Sequence, residues 1–193
     1  KVATDIAESV GFHNICYEDP YRENNTFLNR KVYKSIKENY KDYYFVAIGD
    51  NFLREKVSSQ FSIDNKEAEL LSLIHPSSII SSKCSIGIGT IIMPLCAINS
   101  YSKLGNGVII NTNSIIEHDV VIGKECVIGS GNIIKNSILG DKVVIQDNCK
   151  IGLKGFGFIP IKNKNFKFPH IGRVVISNDV EIGSGCTVDR GSI

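Results

Sequence analysis

No apolar run among the 193 residues approaches the roughly 18 that a transmembrane helix needs, so no integral membrane segment is expected. An excess of charge is missing too. The 22 Lys and Arg stand against 20 Asp and Glu, a net charge of +2, which gives no reason to expect nucleic acid or an anionic membrane surface as a partner. Six cysteines are present, yet no two are spaced as CxxC, so a zinc site is not expected. With 42% hydrophobic and 22% charged residues, wholesale disorder is excluded and a soluble globular chain is expected. The chain opens on Lys1 rather than methionine and stops at Ile193 with a repeat just begun. Both features lead us to expect a fragment, and they leave the question of a signal peptide open.

What is present is a period of six. From Ile74 to Ile134 an aliphatic residue recurs at every sixth position, always isoleucine except for Leu104. Four residues after most of them comes something small, such as Ser78, Cys84, Thr90, Cys96, Ser102, Val108 or Ser114. A helix repeats near 3.6 residues and a single amphipathic strand at two, so neither explains this. A short strand plus a corner, stacked into a parallel β-helix with one large and one small inward slot per unit, does. The phase slips by one after Ile134, continues through Leu139, Ile145 and Ile151, breaks over 153–175, and resumes at Ile176, Ile182 and Val188.

The period also accounts for the cysteines. Cys84, Cys96, Cys126, Cys149 and Cys186 all fall in the small inward slot and are expected as buried free thiols. Such thiols fit a reducing, cytoplasmic setting.

Residues 1–70 have another rhythm. Helices are expected over 2–10, 32–40 and 52–61, strands over 14–17 and 43–48, and a polar loop over 22–29. This alternation suggests a small Rossmann-like α/β unit with a parallel sheet. Ligands of such sheets sit at the carboxyl ends of strands, which makes Glu18, Asp19, Gly49, Asp50 and Asn51 candidate substrate-binding residues. Ordinary turn chemistry is the competing explanation for all five.

Only one histidine lies inside the repeats proper. His118, in Ile116-Glu117-His118-Asp119, is flanked by two carboxylates, and its place between the inward Ile116 and Val120 puts it at or near the outer surface. An imidazole beside a carboxylate is the usual makeup of a general base. A solvated histidine in a polar corner is the alternative. The interruption carries Gly155-Phe156-Gly157-Phe158, further phenylalanines at 166 and 168, and Lys162, Lys164 and Lys167, a composition suited to docking against something.

Residues 68–123 resemble the bacterial sugar acetyltransferases of the PglD/NeuD type, within the hexapeptide-repeat acyltransferases. The resemblance rests on Leu73-Ile74-His75-Pro76-Ser77, Ile92-Met93-Pro94, and Val108-Ile109-Ile110-Asn111-Thr112 running into Ile116-Glu117-His118-Asp119. Residues 1–70 are similar to that family's nucleotide-sugar-binding domain, whose glycine-rich loop would lie just before Lys1. The resemblance implies a left-handed β-helix, a homotrimer, acetyl-CoA as co-substrate, His118 as general base and Asp119 as its orienting partner. Many relatives carry a second histidine nine residues on, where this chain has Val127.

Residues 136–193 instead resemble the UDP-3-O-acylglucosamine N-acyltransferase of lipid A synthesis (LpxD). Here the matching runs are Gln146-Asp147-Asn148-Cys149-Lys150-Ile151-Gly152, Gly155-Phe156-Gly157-Phe158, Pro169-His170-Ile171-Gly172-Arg173 and Thr187-Val188-Asp189-Arg190-Gly191. This implies an acyl carrier protein thioester as donor, with Gly155, Phe156, Gly157, Phe158 and Arg173 as donor-binding residues. The two likenesses meet between Gly123 and Asn136, as in a hybrid.

Taken together, the expectation is a nucleotide-sugar-binding α/β domain over 1–70 and a β-helix acyltransferase domain over 71–193 with an insertion at 153–175. Its reaction would move an acetyl or acyl group from a thioester to an amino or hydroxyl group of a nucleotide-activated sugar in bacterial surface glycan synthesis. A zinc enzyme of the γ-carbonic-anhydrase kind needs three convergent histidines, and the repeats offer His118 with His170 in the insertion. A non-catalytic binding solenoid is the remote alternative.

Overall fold

The computed structural model describes residues 1–36 and 40–192. From Leu73 onward the six-residue units become two-residue strands joined by tight corners, stacked as three parallel sheets of six, five and six strands. As far as Ile134 each coil pairs with the one eighteen residues away, as in Ile80↔Ile98↔Ile116↔Ile134, Ile86↔Leu104↔Ile122 and Ile92↔Ile110↔Ile128. Ladders of identical side chains therefore fill the interior, and Ile98, Ile110, Ile116, Ile128 and Ile134 are fully buried. The small slots fit between them. Where they are polar, their hydroxyls find carbonyls: Ser102 Oγ donates to Glu117 O at 2.7 Å and Ser114 Oγ to Gly129 O at 2.6 Å. Buried hydroxyls are thereby satisfied, as they must be.

The phase slip is a shortened corner. Only Lys135 and Asn136 separate the strand Ile133–Ile134 from Ser137–Leu139, and Asn136 takes a positive φ of 42° to close the turn. Buried Ser137 occupies the small slot one residue early, and the ladder continues as Ile122↔Leu139, Ile128↔Ile145 and Ile134↔Ile151. The parallel ladder thus runs unbroken through the region where the two likenesses meet. Beyond the insertion the same ladders carry on as Leu139↔Ile176, Ile145↔Ile182 and Ile151↔Val188.

The insertion is an antiparallel hairpin, Phe158–Ile161 against Lys164–Lys167, with every strand residue exposed. It leaves the β-helix after Leu153, where the pairing with Thr187–Asp189 shifts register between Ile151 and Leu153, and the ladders resume beyond it. Cys186 departs from expectation. Cys96, Cys126 and Cys149 are buried and Cys84 is half-buried, but Cys186 is exposed. Among the described residues no further coil stacks on the one that holds it.

Before the coils come helix α1 (Val2–Ser9), strands β1 (Tyr17–Glu18), β2 (Thr26–Phe27), β3 (Arg30–Tyr33) and β4 (Tyr43–Tyr44), helix α2 (Asn51–Asp64) and strand β5 (Glu69–Leu70). Both outer helices stand where the sequence places them. The helix expected over 32–40 does not begin there, because Val32 and Tyr33 lie in β3; residues 37–39 of that expectation, including Lys37, fall outside the described residues. Leu28 and Asn29 both take positive φ, 48° and 58°, making the two-residue reversal that twisted hairpins favour, so the expected loop over 22–29 contains β2.

The strands form two small sheets, β1-β3-β2 and β4-β5, rather than one. Of the strand expected over 43–48 only Tyr43–Tyr44 is regular, and Tyr43 is exposed. The aromatic run serves ring contacts instead: Tyr44 lies 4.5 Å from Phe61 of α2 and Tyr43 5.8 Å from Phe12.

This region is fastened to the coils at two places. Ile6 of α1 is buried with Leu73 and Ile91. Arg54 of α2, itself 5% exposed, donates to Gly107 O at 2.8 Å and pairs with Glu125 at 3.1 Å. Burial pushes the Glu125 carboxyl up from its ordinary value, with Arg54 pulling the other way.

Candidate active site

His118 and Asp119 form the corner that leaves the strand Ile115–Ile116. The corner needs a left-handed residue, and Asp119 supplies it with φ 58°; its N–H is held by Ser100 O of the preceding coil at 3.2 Å. Asx residues tolerate this conformation better than most. The carboxylate then reaches its neighbour, with His118 Nδ1 2.7 Å from Asp119 Oδ2. His118 is well exposed, its side chain retaining 66% accessibility, so Nε2 faces a solvent-accessible surface.

Of the two flanking carboxylates the geometry selects Asp119. Glu117 turns the other way, accepting from Asn99 Nδ2 at 3.3 Å and pairing with Lys135 Nζ at 2.9 Å. An imidazole that gives its Nδ1–H to a carboxylate keeps Nε2 as a free acceptor. The pair is thus equipped to take a proton from an incoming nucleophile.

The candidate substrate-binding residues fall into two groups that no hydrogen bond joins among the described residues. Glu18 Oε2 accepts from Ile36 N at 3.2 Å, and Asp19 Oδ1 accepts from Tyr21 N at 3.0 Å in an Asx turn. Asp50, after Gly49, caps α2 by accepting from Leu53 N at 2.7 Å, and Asn51 donates to Glu125 O of the coils. Turn and capping chemistry therefore occupies part of each polar group.

The candidate donor-binding residues sit at the base of the hairpin. Gly155 is buried against His170, and a Cβ there would stand 2.6 Å from His170 Nε2. Gly157 O accepts from Phe168 N at 2.9 Å. Phe156 and Phe158 meet edge to face at 5.0 Å, yet Phe156 is 91% exposed, and Arg173 is exposed as well.

Sequence reasoning missed Lys135, Asn136, Gly152, Leu153 and Arg190, which line a cleft of about 380 Å³ together with Lys154 of the basic insertion. These residues share no period, Gly152 and Leu153 ending a strand and the others lying in the corners after successive strands. Counting one coil of eighteen residues from Glu117 and His118 would have found the first two of them. Among the described residues no group of three or more His, Cys, Asp or Glu could hold a metal ion, and no helix is long and apolar enough to cross a membrane.

Comparison with known proteins agrees with this architecture. The model of the bacterial transferase hexapeptide (six repeats) matches residues 101–136, across the region where the two likenesses meet. A UDP-3-O-acylglucosamine N-acyltransferase from Nitrobacter winogradskyi is 49% identical over 150 residues, which is 77% of this chain and 40% of that protein. That likeness extends well beyond residues 136–193. The chain spans less than half the length of such curated relatives. PerB from Caulobacter crescentus, solved with CoA and GDP-perosamine, is 26% identical with a TM-score of 0.62, over 78% of this chain and 63% of that one. The acetyltransferase domain of PglB from Neisseria gonorrhoeae, solved with acetyl coenzyme A, is 21% identical with a TM-score of 0.66, over 97% and 89%, and shares the fold. The region from Leu73 onward is a left-handed β-helix of hexapeptide repeats, of the kind carried by bacterial acyltransferases.

Proposed function

We propose that the chain transfers an acetyl group from acetyl-CoA to an amino or hydroxyl group of a nucleotide-activated sugar, with His118 as general base. The observation that carries this is the 2.7 Å bond between His118 Nδ1 and Asp119 Oδ2 on an open corner of the β-helix. As the sugar amine attacks the thioester carbonyl, Nε2 takes its proton and Asp119 steadies the resulting imidazolium. Backbone N–H groups of neighbouring coils are the available donors for the oxyanion. Collapse of the tetrahedral intermediate breaks the carbon–sulfur bond, and the departing thiolate recovers the proton from His118. The likeness to PerB, solved with CoA and GDP-perosamine, supports both substrate classes.

On this reading residues 1–70 present the sugar nucleotide, with Glu18, Asp19 and the Gly49-Asp50-Asn51 turn bordering its place, and residues 71–193 carry the chemistry. The working unit is a homotrimer in which neighbouring coils enclose the thioester.

A second reading is favoured by the 49% identity to a UDP-3-O-acylglucosamine N-acyltransferase. There the donor is an acyl carrier protein thioester, docked at the hairpin through Gly155–Phe158 and Arg173. Supplying UDP-amino sugars with acetyl-CoA and with acyl carrier protein thioesters, and following thiol release, separates the two. Release from acetyl-CoA that depends on His118 supports the first, and release from the carrier protein alone supports the second. If neither thioester is consumed, acyl transfer itself fails.

A further inference from the structure

The overall balance of charge conceals a local excess. Residues 153–175 carry Lys154, Lys162, Lys164, Lys167 and Arg173 and no aspartate or glutamate. None of these cations pairs with a carboxylate among the described residues. They share the segment with apolar side chains that find no cover. Every residue from Phe158 to Pro169 is exposed, and Phe158, Ile159, Ile161 and Phe166 keep between 42% and 53% of their surface.

The pairing of the hairpin sorts these side chains. Phe158 stands opposite Lys167, Ile159 opposite Phe166, Pro160 opposite Asn165 and Ile161 opposite Lys164. Successive residues of a strand point to opposite faces, so Phe158, Pro160 and Lys167 share one face of the ribbon. Ile159, Ile161, Phe166 and Lys164 share the other. Each face is therefore apolar with a lysine among its apolar side chains. A ribbon docked on a folded protein covers one face and leaves the other in water, whereas a lipid headgroup layer surrounds both. Lysine, moreover, is depleted at protein–protein interfaces. In a lipid layer its stem lies along apolar surroundings while its ammonium reaches the polar heads.

We infer that this hairpin docks the protein on an anionic lipid surface. Its apolar side chains enter the headgroup layer, and its lysines meet the lipid phosphates. The ribbon goes no deeper, because a sheet of only two strands leaves outer edges whose unpaired backbone groups hydrocarbon cannot satisfy. Attachment of this kind needs no spanning helix. It does not involve His118, so it stands or falls apart from the acyl-transfer reading.

The test is cosedimentation of the chain with vesicles of phosphatidylcholine, with and without phosphatidylglycerol. The chain should pellet with the anionic vesicles alone and be released by sodium chloride at about 0.5 M. Lys164→Gln and Lys167→Gln, one from each face, should each weaken binding about fivefold. Phe166→Ser should weaken it by about tenfold. All three side chains are exposed, so these changes leave the fold in place. The chain has no tryptophan, which makes Phe166→Trp a single reporter of the hairpin's surroundings. Its emission should move to the blue when anionic vesicles are added. Failure to pellet with anionic vesicles, equal pelleting with neutral ones, or affinities unchanged in all three variants overturns the inference. So does a Phe166→Trp emission that responds to an acyl carrier protein, or to the concentration of the chain itself, but not to vesicles. That result would assign the hairpin to a protein partner or to a second copy.

Discussion

The coils and the first 70 residues are built from similar apolar material and use it in opposite ways. In the coils each large aliphatic stacks on its equivalent in the next turn, and the ladder from Ile92 to Ile151 is nearly solvent-free. Before the coils, among the described residues, only Ile6 and Val32 are buried apolar side chains, while Val2, Tyr43, Phe52, Leu53 and Ile63 remain exposed. One region makes its own core, and the other borrows one through Ile6 and Arg54. Stability should therefore reside in the repeats, and the front should follow its fastenings.

The largest effect expected is inside the ladder. Ile116→Ala removes a fully buried side chain with coils above and below that cannot collapse onto the space, and should cost about 4 kcal/mol. Denaturant unfolding followed by far-ultraviolet circular dichroism checks it; a loss below that of a typical surface change would break the contrast between the regions.

The fastening comes next. Glu125→Ala leaves buried Arg54 with two carbonyl acceptors, Ile48 O and Gly107 O, and no anion, and should cost about 3 kcal/mol. The pH dependence has a definite sign. The folded-state value of Glu125 is raised above its ordinary 4.5, so the folded chain holds the proton longer than the unfolded one. Its contribution is full below the ordinary value and is lost as pH rises through the folded value. Comparing unfolding midpoints against pH in the native chain and in Glu125→Gln isolates that slope, which should vanish in the variant.

Thiol reactivity sharpens the same contrast without mutation. Cys126 is pushed up to about 11 by burial and Cys96 is also raised, so neither should react with a thiol reagent at neutral pH. The exposed Cys16 and Cys186 should be modified at once. Mass mapping of labelled peptides reads the order; early labelling of Cys126 would mean that the coils open. The smallest effect is expected in the hairpin, where Phe166→Ser alters an exposed ring and should shift stability by no more than about 0.5 kcal/mol.

The same difference governs how much could be read from the sequence. A period of six with one large and one small slot names nearly every buried residue from Ile92 to Ile151, since each unit repeats the same physical problem. Cys186 broke the rule because burial also needs a coil on each side, which periodicity does not report. The front has no repeat, so local propensity decided the reading, and tertiary context overrode it at Leu28-Asn29 and at Val32. At the candidate site His118 was legible as the one histidine within the repeats, flanked by carboxylates and placed outward between Ile116 and Val120. The choice of Asp119 over Glu117 came from the family resemblance and not from the pattern, because in the fold it depends on a left-handed turn and on Lys135 in the next coil. The cationic cleft was invisible for a related reason: corner residues touch across coils, and nothing in their spacing announces it.

The central claim is that a proton is removed at His118 during acyl transfer. Initial rates of thioester consumption with a UDP-amino sugar, compared between the native chain and His118→Ala, test it directly. Loss of about 10²–10⁴-fold in kcat, the usual worth of a general base, is the predicted result. A variant that turns over as fast as the native chain would contradict it.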